Sequence, residues 1–159
     1  FKQKTAYEIM PSLVGSEMCI RDRSLSESDR KFILSKMSML PRQSTYPDYN
    51  SKFTDGYCKF FMFGDTKAKI PDHIKIFNKV GLAYGFVLDN AYIIDLKHNI
   101  EFFLTAVVYG NENRVLNDNT YDYDTQTIPF LAELGNAIYL YEKGRGKKYP
   151  ADLSYFGRL

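Results

Sequence analysis

The sequence predicts an α+β domain in which an antiparallel meander carries a C-terminal helix. Three observations lead there. Stretches dense in aromatic and β-branched residues follow one another between residues 57 and 109, separated by short turn-prone breaks that favour antiparallel neighbours. Apolar residues recur at helical intervals on either side of that block, and the order is helix, strands, helix with no internal repeat.

The first 23 residues, FKQKTAYEIMPSLVGSEMCIRDR, hold neither a helical nor a strand period for long. Phe1 to Ile9 reads like a translation of a common flow-cell sequencing adapter, and Leu13 to Arg23 like that of a transposase adapter. The codons between them leave about eight nucleotides, the length of a sample index. Glu8, Glu17 and Asp22 interrupt any signal-peptide or presequence reading. Residues 1–23 are therefore read as adapter-derived and 24–159 as the protein proper, beginning mid-domain.

Beyond that leader, Ser26-Glu-Ser-Asp29 has capping-box spacing, with Ser28 also suited to cap. Phe32, Ile33, Lys36, Met37 and Leu40 then form a helical stripe that Pro41 stops, so a helix is predicted over 27–40. Residues 41–56, rich in Pro, Ser, Asp and Asn, read as a loop. Tyr57–Phe63, Ile74–Lys79, Tyr84–Ile94 and Ile100–Tyr109 read as strands, with breaks at Gly64-Asp65 and Lys97-His-Asn99. Asn111–Thr127 is polar and acidic. Pro129 then opens a helix over about 129–143, with Phe130, Leu131, Leu134, Ala137, Ile138 and Tyr141 on the stripe that must cover the sheet.

Composition excludes several functions. Residues 1–23 hold four Lys/Arg and three Asp/Glu, which leaves 17 against 16 in the remainder and a net charge of +1. Such a chain has no nucleic-acid footprint, since the Lys143-Gly-Arg-Gly-Lys-Lys148 tail reads as a solvated helix end. No apolar run is long enough for a membrane span. Cys19 lies in the leader, so Cys58 stands alone and neither a disulfide framework nor a cysteine-rich metal site can be built. Asp118, Asp122 and Asp124 alternate like calcium ligands, but the sixth-position Gly and closing Glu of an EF-hand are wanting. His73 and His98 lack a third ligand at fixed spacing and read as turn or surface histidines. Accordingly, no metal and no cofactor are expected. Tyr121 and Tyr123 could stack on a sugar or peptide, or pack over a sheet edge.

The most informative run is Ile70-Pro-Asp-His-Ile-Lys-Ile-Phe-Asn-Lys-Val-Gly-Leu-Ala-Tyr-Gly-Phe-Val-Leu-Asp-Asn-Ala-Tyr-Ile-Ile94. An ammonium at a sheet rim can hold a carboxylate or tune a neighbouring hydroxyl, and a Gly beside it admits a substrate backbone. This run resembles the third motif of the serine β-lactamase and penicillin-binding protein superfamily. There a strand leads from Pro to Lys-Thr-Gly, then through a Tyr-Gly turn into a strand bearing Asp and apolar residues. The element order also matches over most of 26–145, and the likeness is to the class A-like branch of Bacteroidetes-type bacteria.

The resemblance implies an incomplete β-lactamase/transpeptidase-like fold, with 24–159 as the C-terminal portion of a serine hydrolase domain. Lys79 then corresponds to the motif lysine, Val80 to its Thr or Ser, and Gly81 to its glycine. Leu82 would supply a backbone N–H to the oxyanion hole. Val80 departs from the pattern, having no hydroxyl for a substrate carboxylate. The family's Ser-x-x-Lys nucleophile motif is not supplied, because Ser28-Asp-Arg-Lys31 comes too late in the domain and sits at a helix entrance. The implied whole protein hydrolyses an amide or ester in a small molecule or peptide through an acyl-enzyme and is periplasmic or exported. The fragment itself is expected to be inactive. The alternative reading is a non-catalytic α+β module that binds protein or glycan.

Overall fold

The computed structural model describes residues 25–49 and 52–158, with Arg158 by its backbone alone; the adapter reading of 1–23 lies outside them. Two compact units divide the chain, 1–33 and 34–159. Helix α1, Glu27–Ser38, begins in the first. Its cap is reciprocal: the Asp29 amide donates to Ser26 Oγ at 3.1 Å and the Ser26 amide to Asp29 Oδ2 at 3.2 Å. Ser26 is thus the capping residue rather than Ser28, whose hydroxyl pairs with that of Ser26.

In the second unit, β1 (Ile74–Ala83), β2 (Phe86–Asp95) and β3 (Ile100–Tyr109) form a three-stranded antiparallel sheet in sequence order. Each strand reaches its neighbour by a short turn. Between β1 and β2, Tyr84 (φ 51°) and Gly85 (φ 87°) both take the positive φ that a two-residue type I′ connection demands. A Cβ at Gly85 would also lie 3.0 Å from Asn111 Cβ and from the Gly110 carbonyl oxygen. Register pairs Ile76 with Ile93 and Ile93 with Phe102, so one face alternates apolar side chains across all three strands.

That face makes the core. Ile74, Ile76, Val87, Ala91 and Ile93 pack with Phe60, Phe61 and Met62 and with Ile128 and Leu131 of α2 (Ile128–Gly144). Helix α2 follows a π turn at Tyr123–Thr127 and carries Pro129 in its first turn, where a missing N–H costs nothing. The opposite face is covered at one end only, where Phe77 and Ile94 meet Leu153, Phe156, Leu34 and Met37. At its other end Phe86, Val107 and Tyr109 are exposed, and Phe103 lies 79% open on the same face.

Tyr57–Phe63 is not a strand. Cys58 (φ 62°) and Met62 (φ 69°) are left-handed, and Phe61 (φ −63°, ψ 131°) with Met62 (ψ −31°) follows the path of a type II turn across Phe60–Phe63. A run of aromatics fits a tight buried turn as well as a strand, and periodicity over so few residues cannot separate them. Strand β1 also runs on to Ala83, so Lys79-Val80-Gly81 sits within the strand instead of at its end.

Candidate functional site

Strand β1 is an edge of the sheet, and alternation fixes which backbone groups face outward. The Ile76 carbonyl accepts from Lys59 Nζ at 3.0 Å and the Val80 carbonyl from Lys79 Nζ at 2.6 Å, while the His73 carbonyl takes the Leu96 amide at 2.9 Å on the β2 side. Even-numbered residues therefore point away from β2. The Leu82 N–H lies on that outward parity, and Leu82 is 45% exposed. Gly81, paired with Leu88, lets a second chain approach without a Cβ in its way.

Side chains alternate the other way. Lys79 projects exposed on the partly covered face together with Gly81, whereas Val80 is half-buried against the core. What β1 presents at position 80 is thus backbone. The strand end is anchored: the Gly85 amide donates to Tyr123 Oη at 2.9 Å, and the Gly110 amide to the Gly85 carbonyl at 2.9 Å. Tyr123 therefore acts as a brace for the turn that follows Leu82.

Beneath this edge lies a buried polar network that sequence reasoning did not find. Lys59, 4% exposed, gives its ammonium protons to the Met37 carbonyl (2.6 Å), the Ile76 carbonyl (3.0 Å) and Asn78 Oδ1 (2.6 Å). Asn78 Nδ2 donates to the Cys58 carbonyl (2.8 Å) and to Asp89 Oδ1 (2.9 Å), and Asp89 Oδ2 accepts the Phe60 and Phe61 amides (3.1 and 3.3 Å). Register places Asp89 opposite Val80. The network holds the left-handed turn at 58–62 in place, since it satisfies the amides and carbonyl that the turn directs inward.

Burial lowers the Lys59 pKa to about 8, against the pull of the Asp89 charge. It raises that of Asp89 despite the three N–H donors on its oxygens, a donor set suited to an ionised carboxylate. The Cys58 thiol is pushed up by burial, which outweighs the nearby Lys59 and Lys79 charges, so it is poorly suited to act as a nucleophile. The signal in the sequence was a lysine inside the apolar run Cys-Lys-Phe-Phe-Met-Phe and an aspartate inside Phe-Val-Leu-Asp-Asn-Ala.

No family model, curated protein or solved structure matches the chain. Geometry alone therefore decides among the remaining candidates. Asp118 accepts the Thr120 amide and Asn113 Nδ2, closing a local turn, and Asp122 accepts the Glu112 amide across the loop. With Asp124 they do not gather into a metal-holding group among the described residues. Tyr121 lies beside Tyr123, ring centroids 5.3 Å apart, and its hydroxyl takes the Asn117 amide. His73 and His98, read from the sequence as turn or surface histidines without a third ligand, lie together with Asp95, their donor atoms all within 4.8 Å. Among the described residues no helix is long and apolar enough to cross a membrane.

Proposed function

We propose that residues 24–159 are the C-terminal part of a serine hydrolase of the β-lactamase-like type, in which the outer edge of β1 receives the substrate. The observation that carries this reading is the Leu82 N–H on the outward parity of an open strand edge, next to Gly81 and within the same run as an exposed Lys79. An N–H held there by a braced strand needs no reorganisation to meet a carbonyl oxygen that becomes an oxyanion. A substrate backbone laid along β1 would bond the outward groups of residues 80 and 82, as an added strand does. Lys79 would stabilise the negative charge that develops on the acyl group.

On this reading the nucleophile would lie in residues encoded before Ser24. Its hydroxyl oxygen would bond to the carbonyl carbon of an amide or ester, its proton passing to a base and then to the leaving amine or alcohol as that bond breaks. Water would then release the acid. The uncovered end of the sheet, with Phe86, Val107 and Tyr109, is then where the nucleophile-bearing part would pack.

Covalent labelling tests the reading. Intact-mass measurement with a β-lactam and with a reactive phosphonate should find no adduct on the present chain. The chain joined to the residues its gene encodes before Ser24 should carry one, on the Ser of a Ser-x-x-Lys. There Lys79→Ala should slow acylation by roughly 10²-fold, about 2.7 kcal/mol at the barrier. An adduct on a serine of the present chain, or no Ser-x-x-Lys upstream, would overturn it. The same aromatic face favours a second reading, a protein- or glycan-binding module, with Phe86 and Tyr109 in contact at 4.6 Å. That reading requires saturable binding lost on Phe103→Ala, in a chain whose upstream DNA encodes no nucleophile motif.

A further inference from the structure

We propose that His73, Asp95 and His98 form a binding site for a divalent transition metal, zinc(II) in the first instance. The site sits at the base of the sheet, where β1 begins and the β2–β3 turn closes. His73 directly precedes β1, Asp95 ends β2, and His98 lies in the connection to β3. Two imidazoles and one carboxylate are the donor set that zinc takes when one position is left for water.

The arrangement is held before any ion arrives. The Leu96 amide donates to the His73 carbonyl at 2.9 Å, which ties the segment before β1 to the turn after β2. Asp95 Oδ1 accepts the Lys97 and His98 amides at 2.8 and 3.1 Å, so the carboxylate cannot rotate away. Asp95 Oδ2 faces His98 Nδ1 at 2.7 Å, and the His73 and His98 ring centroids are 6.2 Å apart. Bonds of about 2.0–2.1 Å to a tetrahedral ion require donors roughly 3.3 Å from one another. Asp95 Oδ2 and His98 Nδ1 stand at 2.7 Å and all three donor atoms lie within 4.8 Å of one another, a range that brackets this spacing.

A supporting shell is also present. The Tyr139 hydroxyl, from α2, donates to Asp95 Oδ2 at 2.7 Å, orienting the oxygen that would ligate. Asp95 is buried while His98 is partly open to solvent, which leaves an entry path on one side. Register sets Asp95 opposite Ile74 and Lys79 opposite Asn90, five residues along the strand. That places the ion roughly 17 Å from Lys79. Its role would be to clamp β1, the β2–β3 turn and α2 together, independent of acyl-transfer chemistry.

Zinc(II) titrated calorimetrically into the untagged full chain at neutral pH should bind one ion per chain, and cobalt(II) should give tetrahedral d–d bands without a thiolate charge-transfer band. His73→Gln and His98→Gln should each weaken binding at least tenfold, and Tyr139→Phe about tenfold. Cys58→Ser should leave it unchanged. Metal-free thermal melts confirm that each variant is folded, and zinc should raise the melting temperature of the wild type only in the concentration range where it binds. Absence of saturable binding at millimolar zinc, retention of affinity in both histidine variants, or its loss in Cys58→Ser would overturn the site.

Discussion

Lys59 shows how one residue can fix a backbone. Its ammonium meets three acceptors, the Met37 and Ile76 carbonyls and Asn78 Oδ1, and Asn78 passes the polarity on to Asp89. Lys59→Met keeps the stem but strands those acceptors and leaves Asp89 without its nearby cation. The expected loss is about 3 kcal/mol or more in urea unfolding. The lysine also titrates. Below pH 8 it is charged in both the folded and unfolded states; between about 8 and the ordinary 10.5 the folded state releases the proton first. The unfolded state binds more protons in that window, so the contribution of Lys59 to stability rises with pH across it, by on the order of 3 kcal/mol. Cys58, whose pKa is raised, works in the opposite sense and is removed by carrying Cys58→Ser in both proteins compared. The stability gap between the chain that keeps Lys59 and its Lys59→Met variant should widen from pH 8 to 10; a constant gap would contradict the burial of the charge. None of this was legible from spacing, because a lone lysine in an aromatic run carries no period that says where its acceptors lie.

At the scale of elements, helix α2 owes its seat to Gly135. A Cβ there would come within 2.6 Å of the Met62 amide nitrogen and 2.9 Å of Phe61 Cβ, so the helix rides directly on the left-handed turn. Gly135→Ala should destabilise by roughly 1–3 kcal/mol, because neither backbone nor core can move away. Gly144→Ala, at the open end of the same helix with nothing within 4 Å, should be neutral or stabilise by up to about 1 kcal/mol. Equal effects in thermal melts would mean that α2 does not depend on that contact. The helices and the three strands were legible in the sequence because each has ten or more residues of one period and a punctuating Pro, Gly or capping Ser. The 57–63 turn was not, since its conformation is imposed by Asp89 and Asn78, far along the chain. Asp95 was missed as the partner of His73 for the same reason, since register sets those two side by side, although Asp95 stands only three residues before His98 in the same connection.

For the whole molecule, the sheet has one face packed by the Phe60–Phe63 turn and α2 and the other covered only at the end near Phe77 and Ile94. The proposed acyl-transfer reading rests on the open edge at Lys79–Leu82. Lys79, Gly81 and Leu82 were singled out from the sequence by resemblance, and the strand parity that turns the Leu82 N–H outward came only with the register. The measurement that tests this most directly is the single-turnover acylation rate of the chain joined to its upstream residues, compared with Leu82→Pro. Proline removes one N–H at an edge position that makes no ladder bond, so the melting temperature should hold while the oxyanion donor is lost. Acylation should slow by roughly 10²–10³-fold with folding retained. An unchanged rate in the folded variant would show that the β1 edge takes no part in the reaction.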